Sequence, residues 1–154
     1  MMLLSLFLLL VSPVSIQSLE ADFTQYKTVA LLQEVQVSHG HFSYQAPDYL
    51  RWEYTDPTVM VWTTDAGETT SPYSRRVLSL ILRTVNGDYL QDNADFAVTV
   101  TEQSTYLLTP KKRELRQLFS SILIRIVPSS GLADQVVMTE KNGDTTHITF
   151  NYTH

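Results

Sequence analysis

The sequence predicts a mainly β, α+β domain: one mostly antiparallel sheet of roughly ten short strands with one central helix. Three observations carry that prediction. Apolar and polar residues alternate with a period of two, as in "PDYLRWEY", where Leu50, Trp52 and Tyr54 fall on one face and Tyr49, Arg51 and Glu53 on the other. Turn-forming groups recur at the spacing of a meander: Asp56-Pro57, Pro110 to Arg113, Ser129 to Gly131 and Asn142-Gly143-Asp144. One window alone, "SRRVLSLILRTVNGD", breaks the period and gathers Val77, Leu78, Leu80, Ile81, Leu82 and Val85 at helical spacing.

The elements follow in order. Residues 1–18, "MMLLSLFLLLVSPVSIQS", hold no charged side chain, and their apolar run meets Pro13 well short of the about 20 residues that span a bilayer. They are expected to be a secretory signal peptide, leaving 19–154 as a single domain. In "SLEADFTQYK", Leu19 and Phe23 stand four apart, the spacing of a short helix packing two residues inward. "VALLQEVQVSHGHFSYQ" reads as a hairpin turning at His39-Gly40-His41, with Val35 and Val37 before the turn and Phe42 and Tyr44 after it. "PDYLRWEY" and "TVMVWTTD" supply the next strands, and Ala66-Gly67 turns into a polar strand, "ETTSPY". The helix is expected from an N-cap at Ser74 to a stop at Asn86-Gly87. Because it is apolar over most of its circumference, it must touch protein or ligand on more than one side. Strands resume with "FAVTV", "TYLLTP", "LFSSILIRIV", "VVMTE" and "THITFNY", the last turning Ile148, Phe150 and Tyr152 inward.

Composition and motif content narrow the function. A net charge of −5 argues against nucleic acid, which needs an electropositive face. Cysteine is absent, so the chain needs no disulfide and carries no N-terminal cysteine to lipidate. His39 and His41 flank a glycine, but a metal needs at least a third ligand and none has the spacing, so no metal is expected. No nucleophile elbow, phosphate loop or HExxH is present, which leaves no enzyme reading and no cofactor. "KKRELR", Lys111 to Arg116, concentrates cations in an acidic protein; Lys111, Lys112 and Arg113 are candidates for docking an acidic partner or anionic headgroups.

The order of "ADFTQYK", "SHGHFSYQAPDYLRWEYTDP", "TYLLTPKKRELRQLF" and "MTEKNGDTTHITF" resembles the outer-membrane lipoprotein carrier family, LolA-like periplasmic chaperones. That resemblance implies an open, half-closed antiparallel β-barrel covered by one or two lid helices, whose apolar concave face accepts lipoprotein acyl chains. It implies a soluble periplasmic monomer that receives cargo from an inner-membrane releasing complex and yields it to an outer-membrane acceptor. Pro47 and Trp52 match the family's proline and tryptophan, and Leu50 takes the place of a lining aromatic. The arginine that precedes the proline in the family is Ala46 here, and Arg51 points to the face opposite Trp52. On this basis the candidate lipid lining is Phe42, Tyr44, Leu50, Trp52, Tyr54, Trp62, Ile122 and Ile124, and the candidate lid is Val77, Leu78, Ile81, Leu82 and Val85. An apolar groove does not encode a headgroup, so a carrier of another amphiphile, such as a glycolipid or polyene lipid, is a second reading. A filled barrel acting as a sensor or interaction domain is a third.

Overall fold

A computed structural model describes residues 17–64, 78–83, 90–102 and 104–153. Among these residues nine strands form one antiparallel sheet: β1 (Ser18–Val29), β2 (Glu34–Gln45), β3 (Tyr49–Asp56), β4 (Met60–Thr63), β5 (Phe96–Glu102), β6 (Thr105–Pro110), β7 (Phe119–Val127), β8 (Leu132–Glu140) and β9 (Thr145–Tyr152). Helix α1 covers 78–83, and the single-turn helix α2 (Arg113–Arg116) stands where the sequence placed a turn. The strand order is β4-β3-β2-β1-β9-β8-β7-β6-β5. Consecutive strands pair from β1 to β4 and again from β5 to β9, and β1 joins the two meanders by pairing with β9. The end strands β4 and β5 do not pair with each other, so the sheet is open.

Two local readings of the sequence are corrected. "SLEADFTQYK" is strand, not helix: Leu19, Ala21 and Phe23 are buried while Glu20 and Asp22 are exposed. A spacing of four fits both a helical turn and two strand steps, and the alternation of the residues between decides for the strand. The hairpin does not turn at His39-Gly40-His41 either. β2 runs through those residues, and the turn lies at residues 30–33, where Gln33 takes a left-handed φ of 50°. Gly40 serves close approach instead. A Cβ there would lie 2.1 Å from the Glu53 carbonyl oxygen and 2.3 Å from the Phe23 ring. Val35 and Val37 consequently face away from Phe42 and Tyr44, since residues of opposite parity lie on opposite faces of one strand. The expected turn at Ala66-Gly67, the strand "ETTSPY", Ser74 and Asn86-Gly87 lie outside the described residues.

One face of the sheet carries the core. Reading across the register, Ala21 stands beside Phe42, Phe42 beside Trp52, and Trp52 beside Trp62. In the other half Ile148 stands beside Val136, Val136 beside Ile124, and Ile124 beside Tyr106. Directly opposed residues of antiparallel strands share a face, so these rows form one continuous apolar surface. Leu78 and Leu80 of α1 belong to the same core, with Ile81 and Leu82 packed against it. Leu78 and Leu80 are two residues apart, on different sides of a helix, and both are buried. The helix is therefore enclosed on more than one side, as its apolar circumference required.

Candidate functional site: the apolar inner face

All eight candidate lining residues lie on this inner face, in two groups. Phe42 and Tyr44 on β2, Leu50, Trp52 and Tyr54 on β3 and Trp62 on β4 occupy one wing. Ile122 and Ile124 on β7 occupy the other, with β1, β9 and β8 between β2 and β7. Alternation fixes each: on β3, Leu50 and Trp52 are buried and Tyr54 half-buried, while Arg51 faces outward and pairs with Glu53 at 2.7 Å. Arg51 thus stays on the face opposite Trp52.

An aromatic stack organises the first wing. The Phe23 and Trp52 rings lie 4.0 Å apart and nearly parallel, Phe42 stacks on Trp52 at 5.7 Å, and Phe150 meets Phe42 edge-on at 5.6 Å. Such pairs add about 0.5–1.5 kcal/mol each beyond the area they bury. Tyr54 meets Trp62 edge-on at 5.6 Å and donates its hydroxyl proton to Gln25 Oε1 at 2.9 Å. Burial pushes the Tyr54 phenol above its ordinary value. Among the described residues the buried Trp52 indole N–H finds no acceptor in good geometry. Tyr152 donates to the Ala133 carbonyl, and burial, aided by the Asp134 charge, raises its phenol strongly.

The degree of enclosure differs across the candidates. Leu50 is 0% exposed, and Phe42, Tyr44, Trp52 and Ile124 are each 1% exposed. A side chain bordering an empty space large enough for water would keep accessible area, so these five are packed against protein on all sides. Tyr54, Trp62, Ile81 and Leu82 are half-buried and form the margin of the packed zone. Leu78 is buried in α1, while Val77 and Val85 lie outside the described residues. Two buried residues fall outside the expected lining and lid: Phe23, whose four-residue spacing from Leu19 also fits a helix, and Leu80 of α1. The alternation of Leu19, Ala21 and Phe23 was the signal that could have placed Phe23.

A separate groove of about 740 Å³ opens at one end of the sheet, lined by Lys27, Gln117, Leu118, Glu140, Lys141 and Asn142. None of the eight candidates borders it. Lys111, Lys112 and Arg113 stand at the same end, exposed, on the link between β6 and β7. His39 and His41 lie on the outer face, where Thr24 hydrogen-bonds His39 at 3.3 Å and Asp22 hydrogen-bonds His41 at 2.9 Å. Among the described residues no three His, Cys, Asp or Glu side chains are grouped to hold a metal ion. Nor is any helix among them long and apolar enough to cross a membrane.

No curated protein matches the chain. Among solved structures, it is similar to a LolA superfamily protein from Nitrosomonas europaea, with 12% identity, a TM-score of 0.40, 90% of this chain covered and 86% of the other. It is also similar to a putative outer membrane lipoprotein-sorting protein domain from Vibrio parahaemolyticus, with 8% identity, a TM-score of 0.39, and 89% and 86% covered. A DUF1329 family protein from Desulfovibrio piger is similar at 12% identity and a TM-score of 0.36, with 96% and 88% covered. The family model described as outer membrane lipoprotein carrier protein LolA matches residues 14–154. Members of that family are carriers or chaperones and not enzymes, and with the match extending over nearly the whole chain, this protein belongs to the LolA family.

Proposed function

We propose that this protein is a soluble periplasmic carrier, exported by a signal peptide at residues 1–18, that shelters lipoprotein acyl chains against its inner face and moves them toward the outer membrane. In this reading it takes them from an inner-membrane releasing complex and yields them to an outer-membrane acceptor. Family membership supports the carrier role. The observation that carries it in the molecule is an inner face apolar on every strand, under a helix buried on two sides.

The packing suggests how binding and release are balanced. Each methylene taken from water is worth about 0.8 kcal/mol, so a chain of about 16 carbons gains on the order of 10 kcal/mol from burial. With Leu50, Trp52 and Phe42 fully covered, a guest tail must displace what covers them. In this reading the α1 leucines leave the core they share with the sheet and acyl methylenes take their place. Apolar contact is exchanged for apolar contact, so part of the burial gain is returned and the complex can dissociate. The half-buried Trp62, Tyr54, Ile81 and Leu82 mark where such an exchange begins.

The test uses the two tryptophans, Trp52 and Trp62, both on the inner face. A fatty acid brominated along its chain should quench their fluorescence, and Trp62→Phe should isolate the Trp52 response. Organic extraction of protein taken from its native compartment, followed by mass spectrometry, should recover acylated material. Recovery of a glycolipid or polyene lipid would redirect the cargo assignment. Absence of quenching together with absence of any recovered lipid would end the carrier reading.

A further inference from the structure

We propose that the end of the sheet formed by the β1–β2 turn, α2 with its flanks, and the β8–β9 turn is a docking surface for an anionic lipid bilayer. This goes beyond the carrier reading and does not use the inner face.

The topology puts these three segments together. Thr28 near the end of β1 pairs with Thr145 at the start of β9, and Phe119 at the start of β7 pairs with Glu140 at the end of β8. The groove lined by Lys27, Gln117, Leu118, Glu140, Lys141 and Asn142 spans all three. Two leucines stand at the apex: Leu31 is 91% exposed and Leu32 65% exposed. They are not on a loose loop. The Ala30 N–H donates to Asp144 Oδ1 at 3.0 Å, which ties their turn to the β8–β9 turn. β2 also outreaches its neighbour here, since β3 pairs with it no further than His39. The fold thus holds two large apolar side chains outward.

Charge identifies the occupant. The segments 27–34, 111–118 and 140–144 carry six of the chain's 11 Lys and Arg residues against four carboxylates. The rest of this protein of net charge −5 carries five cations against twelve carboxylates. Lys112 pairs with Asp95 at 2.6 Å and Lys27 with Glu140 at 3.6 Å. Lys111 and Arg116 spend hydrogen bonds on the neutral Asn93 and Lys111 carbonyls, at 2.8 and 2.6 Å. Arg113 and Lys141 make no ion pair among the described residues. This end therefore carries a net charge of +2, against −7 for the rest of the chain, in the same segments as the protruding leucines. Apolar tips that enter the acyl boundary, ringed by long cations that reach headgroup phosphates, match the chemistry of an anionic bilayer surface.

Flotation with vesicles tests this. The mature chain, residues 19–154, should float with vesicles of equal parts phosphatidylglycerol and phosphatidylcholine, and much less with phosphatidylcholine alone. Leu31→Ser with Leu32→Ser, and separately Arg113→Glu with Lys141→Glu, should each lower partitioning by roughly tenfold. All four side chains are exposed, and circular dichroism checks that both variants fold. Vesicle binding that both variants retain, while Trp62→Glu abolishes it, would assign the contact to the inner face and overturn the proposal. So would absence of binding to the anionic vesicles, including the case where these residues instead bind a soluble acidic protein.

Discussion

Phe23 lies on the indole of Trp52 with ring centroids 4.0 Å apart and planes inclined by 20°, although the two residues sit on β1 and β3, with β2 between them. Gly40 on the intervening strand makes the contact achievable. It stands opposite both Phe23 and Tyr54, and its missing side chain leaves the space that the Phe23 ring fills. A methyl group there would meet backbone at 2.1 Å as well as the ring, and backbone does not yield as a flexible side chain does. Gly40→Ala should therefore destabilise the fold by about 1–3 kcal/mol, the range for overpacked cores. Urea unfolding measures it, and an unchanged midpoint would show that β2 and β3 have slack at this point.

What the sequence disclosed depended on how many residues shared one signal. Leu50, Trp52 and Tyr54 alternate with charged or polar neighbours, and Ile122, Ile124 and Ile126 recur at the same period of two although Leu123 interrupts the contrast; the strands and their inward faces were legible from period. Leu19 and Phe23 gave only a spacing, which two periods satisfy. Gly40 between two histidines carried the signature of a turn, whereas its use is the approach of a ring from two strands away. Such long-range contacts leave no mark in local sequence. The union of both wings in one core is of the same kind, since nothing local says that β1 pairs with β9.

The buried phenols set a pH dependence. Tyr54 and Tyr152 are both raised above the ordinary tyrosine value, chiefly by burial. Their neutral form is favoured in the folded state, so the unfolded chain releases these protons first as pH rises. The stability they contribute is complete below about pH 10 and is lost progressively above it. Phenolate absorbance should show Tyr54 and Tyr152 ionising above the ordinary tyrosine range, together with unfolding. Tyr152→Phe should remove part of the alkaline loss, and an unaltered alkaline profile in that variant would contradict the assignment.

Asp144 joins two turns that are 114 residues apart through its bond to the Ala30 N–H at 3.0 Å. Asp144→Ala leaves that donor to water at an exposed site, where a hydrogen bond is worth about 0.5–1.5 kcal/mol. The global loss should stay in that range. The local effect should be larger: hydrogen exchange at Ala30 and Leu31 should quicken while amides of β7 and β8 keep their protection. Uniform acceleration along the chain would mean that the tie supports the whole sheet and not the turn alone.

Leu80 separates a lid from a core filler. It is 7% exposed, on a different side of α1 from Leu78, which is 2% exposed. Leu80→Ala removes a buried side chain, and a loss of about 2–5 kcal/mol is expected in either case. The readings part on ligand affinity. If α1 must leave the sheet before an acyl chain enters, weakening its packing raises the fraction of molecules ready to bind, and apparent affinity rises with that fraction. Leu80→Ala should then bind a brominated fatty acid more tightly than the parent chain, despite melting at a lower temperature. Ile81, half-buried at the margin, should show a smaller effect of the same sign as Ile81→Ala. A fall in affinity that tracks the fall in stability would mean that α1 belongs to the wall of the binding surface and does not compete with the guest for it.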